Sequence, residues 1–184
     1  MTVLILHGIG GHAGRHWMQW LHDQLTNRGF EVLMPELPRS DKPDNAKWRQ
    51  TISKLINSVD ADKLIIVGHS MGVPAALEII QEIPEPVAGL VSVAGFYRDY
   101  GAELNTAFMR KCLIDIKKAR TKISKAFVIY GDNDPYVPQG VLQELADGLG
   151  VEAIKIHRGG HLNTDAGYTE FPLLIQLISQ IKST

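Results

Sequence analysis

The chain has 184 residues, of which 45% are hydrophobic and 21% are charged, and its formal net charge is −1. These values are ordinary for a soluble globular protein, and a chain of this length can bury a proper core as a single domain over residues 1–184. Because Lys and Arg form no run longer than two, nothing indicates a nucleic-acid partner or binding to an anionic membrane surface.

Targeting and redox features favour the cytoplasm. The apolar run at residues 3–6 is short, has no basic flank and is followed at once by His7 and Gly8, so it does not resemble a signal peptide. No stretch approaches the length of a transmembrane helix. The single cysteine, Cys112, excludes an intramolecular disulfide and suits a reducing compartment. We therefore expect a cytoplasmic protein.

Predicted strands and helices alternate along the chain. Short apolar and β-branched runs predict buried strands, at residues 3–6, 31–34, 64–67, 87–93, 126–130 and 151–157. Apolar residues at helical spacing predict helices, at residues 17–28, 44–58, 137–149 and 169–181, with one more between Ser70 and Pro84. The alternation indicates an α/β fold, in which helices cover both faces of a parallel sheet as a three-layer sandwich.

Residues 96–125 depart from this alternation. They contain no clean strand before residue 126 and only one amphipathic piece, at about residues 108–119. We expect them to form a small insertion or cap after the fourth strand. In open parallel sheets the functional site lies beyond the carboxyl ends of the strands, and the candidate residues below follow predicted strands.

The segment Gly68-His69-Ser70-Met71-Gly72 is a G-x-S-x-G sequence between a predicted strand and a predicted helix. In that context it is typical of a nucleophile elbow, a strained turn that presents the serine hydroxyl above the sheet. The alternative is a glycine-rich turn with an N-capping serine. The elbow is favoured because strand, glycines, serine and helix all occur in the required order.

A serine nucleophile needs a base within hydrogen-bond reach. Of the seven histidines, His161 is the strongest candidate because it lies on a glycine-flanked loop after the last predicted strand. His157 ranks second, as a residue that ends the strand. His69 adjoins Ser70, so its side chain should point away from the hydroxyl and pack or bond beneath the elbow.

The base must itself be oriented by an acid, and Asp132 and Asp134 compete for this role within one loop after the fifth predicted strand. Either carboxylate preserves the chain order Ser, Asp, His that the elbow fold uses. The other would bond backbone amides and hold the loop. Spacing does not choose between them, and Asp99 is an outside candidate.

Backbone amides are the candidate oxyanion donors. One should be the amide of Met71 at the start of the elbow helix, and the second that of Ile9 or Gly10 in the glycine-rich loop after the first strand. These glycines do not form a dinucleotide fingerprint or a P-loop, so we expect no cofactor. His12 and His16 have metal-ligand spacing but lack a third ligand, so we expect no metal site.

With these residues in hand, the chain resembles the α/β-hydrolase superfamily, and more closely the small serine hydrolases of the YdeN or retinoblastoma-binding-protein type. The resemblance covers nearly the whole chain. It rests on four segments, which are the N-terminal His-Gly-x-Gly-Gly loop with Trp17 and Trp20 after it, the G-x-S-x-G sequence, residues 131–138 and residues 159–163.

The resemblance implies roles that the residues alone leave open. It assigns Ser70 as nucleophile, Asp134 as the acid and His161 as base. It also implies six parallel strands in the order 2-1-3-4-5-6. The L-x-C-x-E sequence needed for retinoblastoma-protein binding is absent around Cys112, so that partner is not implied.

We therefore expect a serine hydrolase that cleaves a small ester, or less readily an amide or thioester, through an acyl-enzyme. The alternatives are a hydrolase-fold binding protein with weak turnover and an acyltransferase that uses the same residues. Gly10 and the aromatic residues Trp17, Tyr97 and Tyr136 are candidate substrate contacts, although core packing is the better interpretation of Trp17. The sequence leaves the oligomeric state open.

Overall fold

In the computed structural model, which describes residues 1–182, six parallel strands form one sheet in the order β2-β1-β3-β4-β5-β6. The strands span β1 Thr2–Leu6, β2 Glu31–Leu33, β3 Leu64–His69, β4 Val87–Val93, β5 Ile123–Gly131 and β6 Ala153–Ile156. The helices span α1 Met18–Thr26, α2 Asn45–Ile56, α3 Gly72–Ile80, α4 Glu103–Met109, α5 Ile116–Thr121, α6 Gln139–Leu149 and α7 Pro172–Lys182. The predicted α/β architecture and strand order are confirmed.

Both faces of the sheet are buried, and β1 shows why its sequence is a continuous apolar run. Because side chains alternate across a strand, Leu4 and Leu6 lie in the core beneath α2, α3 and α6. Val3 and Ile5 lie in the opposite core, beneath α1 and α7. Helices on both faces therefore require apolar residues at every position of this strand.

Parallel register brings the carboxyl ends of the central strands to one edge. Leu6 of β1 lies opposite Gly68 of β3, and His69 of β3 lies opposite Val93 of β4. The loops that follow these strands therefore meet above the centre of the sheet. This edge carries the candidate residues.

The region after β4 differs from the prediction. Instead of one amphipathic piece at residues 108–119, there are two short helices, α4 and α5, separated by residues 110–115. Asp115 ends the intervening stretch, since its carboxylate accepts from the amides of Lys117 and Lys118 and caps α5. Strand β5 then begins at Ile123, three residues before the predicted start.

The last helix begins later than predicted. Residues 164–166 form a single 3-10 turn, and α7 starts at Pro172 rather than at residue 169. Proline is well tolerated at a first helical position because its missing N–H would have no partner inside the helix there. No helix within residues 1–182 combines the length and apolar character needed to cross a membrane.

Candidate active site

Ser70 occupies a strained turn between β3 and α3. Its φ of 53° lies in the left-handed region, which is rare for a residue with a side chain. Its amide donates to the carbonyl of Val93 at 2.9 Å, and its carbonyl accepts from the amide of Val73 at 3.0 Å. These bonds hold the strained backbone in place and leave the side chain half-buried at the sheet edge.

Two glycines make this turn possible. A Cβ on Gly72 would lie 2.6 Å from the carbonyl oxygen of Leu6, and one on Gly68 would lie 3.0 Å from the amide of Val73. A third close approach comes from β1, since a Cβ on Gly8 would lie 2.9 Å from the Cβ of Ser70. The backbone after β1 is therefore packed directly against the serine.

His161 and Asp134 meet from the loops that follow β6 and β5. The Oδ2 atom of Asp134 lies 2.7 Å from Nδ1 of His161, and the two side chains are 0% and 9% exposed. The other carboxylate oxygen of Asp134 accepts from the amides of Tyr136 and Val137 at 2.9 and 3.0 Å. These bonds orient the carboxylate, and Nε2 of the imidazole is left for other contacts.

The second carboxylate of this loop has a different partner. Asp132 accepts from the amide of Arg158 at 2.8 Å, and its other oxygen lies 2.9 Å from Nδ1 of the exposed His157. The bond from Arg158, and then that from His157, lowers the pKa of Asp132. Asp99 bonds within its own loop, to the amide of Gly101 at 3.0 Å.

Ser70 and His161 line the same cavity. Within residues 1–182, the Ser70 hydroxyl makes no hydrogen bond of 3.5 Å or less with another residue. In free enzymes such bonds are often long and shorten only when substrate binds. Among these residues the Ser70 hydroxyl therefore has no hydrogen-bond partner that fixes its direction, whereas Asp134 orients the imidazole.

Two backbone amides beside Ser70 are candidates for an oxyanion hole. In the described part of the chain, neither Ile9 nor Met71 donates its N–H to another residue. Unpaired amides next to a serine are the usual components of an oxyanion hole. The neighbouring amides of Gly10 and Gly11 are instead used within the protein, by the carbonyls of Ser40 and Gly8.

His69, predicted to lie beneath the elbow, lines the same cavity as Ser70 and contacts the His161 loop. It is buried, and its Nε2 lies 3.0 Å from the backbone carbonyl oxygen of His161. A carbonyl only accepts, so Nε2 carries the proton and donates. Burial, and then the neighbouring His161, holds the pKa of His69 well below its usual value. His69 is thus a neutral support for the loop.

The cavity above Ser70 has a volume of about 490 Å³. Gly10 and Tyr136 line it, and Tyr136 is 58% exposed at its edge. Two of the predicted substrate contacts lie elsewhere. Trp17 is fully buried, and its indole N–H donates to the carbonyl of Leu162 at 2.9 Å. It directly precedes α1 and packs in the core with the buried face of that helix. Tyr97 packs against the core rather than lining the cavity.

Several cavity residues were missed by the sequence-based prediction. Tyr100, Leu104 and Asn105 come from the region after β4, where no pattern predicted the fold. Burial, and then the nearby Asp134, raises the pKa of Tyr100 to about 12. Arg15 also lines the cavity, and its guanidinium donates to the carbonyl of Gly10.

His12 and His16 do not form a chelating pair on a helix, since α1 begins only at Met18. His12 is exposed and contacts the carbonyl of Ala13, and His16 contacts Thr164. Within residues 1–182, no three His, Cys, Asp or Glu side chains come together in a way that could hold a metal.

A six-stranded parallel sheet, a serine at a strained strand-to-helix turn and a histidine–aspartate pair at the same edge define an α/β-hydrolase. The particular family follows from comparison of the whole chain. Its residues 3–180 match the model of the family described as serine hydrolase, and the chain belongs to that family.

Individual relatives agree. The chain is 26% identical over 177 residues to the serine hydrolase RBBP9 of Rattus norvegicus, which covers 94% of this chain and 90% of that protein. Its fold is similar to the crystal structure of the ydeN gene product from B. subtilis, with a TM-score of 0.92, 24% identity and coverage of 100% and 99% of the two chains.

A more distant structure comes from work on carboxylesterases of the thaumarchaeon Nitrososphaera gargenis. It shares 11% identity and a TM-score of 0.75 over 99% of this chain and 91% of that one. At this identity the likeness concerns the fold alone. The family resemblance predicted from the sequence is confirmed.

Proposed function

We propose that this chain hydrolyses a small ester through an acyl-enzyme, with Ser70 as nucleophile, His161 as general base and Asp134 as the residue that orients the base. The observation that carries the proposal is the 2.7 Å contact between Asp134 Oδ2 and His161 Nδ1, at the cavity into which the strained Ser70 opens. The serine hydrolase family supports the same reaction class.

In the proposed first step, Ser70 Oγ attacks the ester carbonyl carbon while His161 Nε2 removes its proton. The contact with Asp134 favours the neutral tautomer of His161 whose single N–H proton is on Nδ1. Nε2 is then unprotonated and able to act as a base. The buried carboxylate also stabilises the imidazolium that forms. His161 then protonates the leaving alcohol as the carbon–oxygen bond breaks.

Negative charge develops on the carbonyl oxygen during the attack. The amides of Ile9 and Met71 are the proposed donors to it, supported by their lack of any acceptor within residues 1–182. Gly8 allows this arrangement, because any side chain there would collide with Ser70. In the second step water, activated by His161, releases the acid and restores Ser70.

The size of the cavity supports a small substrate. About 490 Å³ lies within the range of pockets that hold small molecules. Its wall combines the glycine-rich loop with apolar side chains of the region after β4, including Leu104. We therefore assign the chain a small acyl ester rather than a polymer as substrate.

Active-site labelling tests this function. A fluorophosphonate probe reacts with a nucleophilic serine, and peptide mass spectrometry locates the adduct. We expect one adduct on Ser70, none in Ser70→Ala, and unchanged labelling in the control Ser58→Ala, since Ser58 is exposed beyond α2. Labelling of the Ser70→Ala variant to the wild-type extent would rule out the proposed nucleophile.

A further inference from the structure

His16 has a strained backbone beside the cavity. Its φ is 60°, in the left-handed region that is uncommon for residues with a side chain. The half-buried ring lines the cavity together with Ser70 and His161. Its partner Thr164 lies far away in sequence, on the loop after His161, and holds the ring at this wall.

Contacts with Thr164 decide which ring nitrogen carries the proton. The backbone amide of Thr164 points at Nδ1 of His16 with an N–N distance of 3.1 Å, and the Thr164 hydroxyl lies 2.9 Å from the same nitrogen. A backbone amide can only donate, so Nδ1 must accept and carries no proton. In the neutral ring the proton is therefore on Nε2.

The Nε2–H group of His16 is available to a ligand. It donates to no other residue of the described chain, and the ring packs edge-on against buried His69, with centroids 5.5 Å apart. Burial, and then the neighbouring Arg15, lowers the pKa of His16 to about 4, so the ring stays neutral near pH 7. His16 thus offers a fixed, uncharged donor at the cavity wall.

We propose that His16 is a substrate-binding residue whose Nε2–H donates to an oxygen of the substrate other than the reacting carbonyl oxygen. The substrate class is then an ester with an additional ether, hydroxyl or carbonyl oxygen close to the ester group. This assignment rests on the proposed function, since it describes the cavity in which Ser70 would react. The oxygen belongs either to the acyl part or to the alcohol part.

Isosteric ester pairs separate these two sources. On the acyl side, 4-nitrophenyl methoxyacetate is compared with 4-nitrophenyl butanoate, in which a methylene replaces the ether oxygen. On the alcohol side, 2-methoxyethyl acetate is compared with butyl acetate. For each pair, the kcat/KM of the oxygen-containing ester is divided by that of the methylene ester. This ratio in the wild type is then divided by the same ratio in His16→Phe. The resulting quotient no longer depends on the intrinsic reactivity of the esters.

We expect this quotient to be about 10 for one of the two pairs, the value for loss of one hydrogen bond at a partly buried site. His16→Gln, which keeps an N–H donor, should restore part of the preference. The control His22→Phe, on the outer surface of α1, should leave both ratios unchanged. Thermal unfolding of each variant identifies any general loss of structure, which would lower both members of a pair alike.

A quotient near 1 for both pairs, with measurable turnover, would overturn the role of His16 alone. Absence of turnover of every ester by the wild type, together with absence of labelling at Ser70, would instead overturn the proposed function. A separate check uses the nitrogen-15 shifts of the ring at pH 7. We expect a protonated Nε2 and an unprotonated Nδ1, and the opposite tautomer would contradict the inference.

Discussion

Two regions border the same cavity and are built in different ways. We call the loops after β1, β3, β5 and β6 the elbow edge, and residues 96–122 the helical segment. The elbow edge is held by close backbone contacts, as where a Cβ on Gly131 would lie 2.2 Å from the carbonyl oxygen of Gly160. The helical segment is held by core packing of its buried apolar residues and by side-chain hydrogen bonds from Glu78 and Gln81.

Glu78 in α3 and Gln81 directly after α3 make the polar contacts that hold the stretch between α4 and α5. The buried carboxylate of Glu78 accepts from the amide of Leu113 at 3.2 Å and from the side chain of Asn45 at 2.6 Å. Gln81 accepts from the amide of Asp115 at 2.8 Å and donates to the carbonyl of Leu113. Backbone packing thus fixes the candidate reacting groups, while side-chain hydrogen bonds hold the stretch between α4 and α5.

The largest expected effect separates the two aspartates of the elbow edge. Asp134→Asn should lower kcat/KM for an ester by about 10³- to 10⁴-fold, because the amide favours the wrong imidazole tautomer in His161. Asp132→Asn should cost less than about tenfold, since Asp132 contacts the exposed His157 and a backbone amide. Steady-state kinetics of the two variants measure these losses. Equal losses of kcat/KM would contradict the assignment of Asp134 rather than Asp132 as the acid.

Close backbone packing at the elbow predicts the next effect. Gly72→Ala should lower the free energy of unfolding by about 2 to 3 kcal/mol, since the added methyl group would meet the backbone of Leu6. Gly140→Ala in α6 is the matched control, because a Cβ there meets no atom of residues 1–182 within 4 Å and should stabilise the helix slightly. Urea unfolding measures both. Equal behaviour would show that the elbow is not closely packed.

Loosening the helical segment should have a smaller effect. In Glu78→Gln one carboxylate oxygen becomes an amide donor, so either Asn45 or Leu113 loses its acceptor. We expect a loss of about 1 to 2 kcal/mol in stability and faster hydrogen exchange at residues 110–116. Turnover of a small ester should change less than about threefold. Faster exchange at the elbow as well would mean that the two regions are coupled.

Low pH should destabilise the fold through the buried histidines at and beside the elbow edge. Because burial lowers the folded-state pKa of His69, the unfolded chain binds more protons below about pH 6.5, and stability falls as the pH falls. His16 contributes with the same sign between pH 6.5 and about 4. His69→Gln should reduce the slope of unfolding free energy by at most about 1.4 kcal/mol per pH unit. If the unfolding free energy of His69→Gln depended on pH between 7.5 and 5.5 as steeply as that of the wild type, this role of His69 would be contradicted.

The same contrast explains what could be predicted from the sequence. The alternation of strands and helices and the elbow follow from local signals, because Gly68, Ser70 and Gly72 indicate a tight turn by residue type alone, whereas the strand order was implied only by the family resemblance. Choosing between Asp132 and Asp134 required a family resemblance, since both lie on one loop. In the structure, contacts from His157 and His161 distinguish the two carboxylates.

The helical segment carried no comparable signal. Ala94 takes a φ of 49° directly after β4, and the path of the chain beyond it depends on contacts with α3. Because the sequence does not predict this path, it indicates Tyr97 as a cavity residue, whereas the structure places Tyr100 there. Trp17 remained open between substrate contact and the favoured core packing, because an aromatic residue near a site has the same sequence signature in both cases, and the structure places it in the core.

The most direct test of the central claim compares kcat/KM for 4-nitrophenyl butanoate between the wild type and Ser70→Ala, with folding checked by circular dichroism. A serine nucleophile activated by His161 and Asp134 predicts a fall of about 10⁴-fold or more. A folded Ser70→Ala variant that keeps activity within tenfold of the wild type would contradict it.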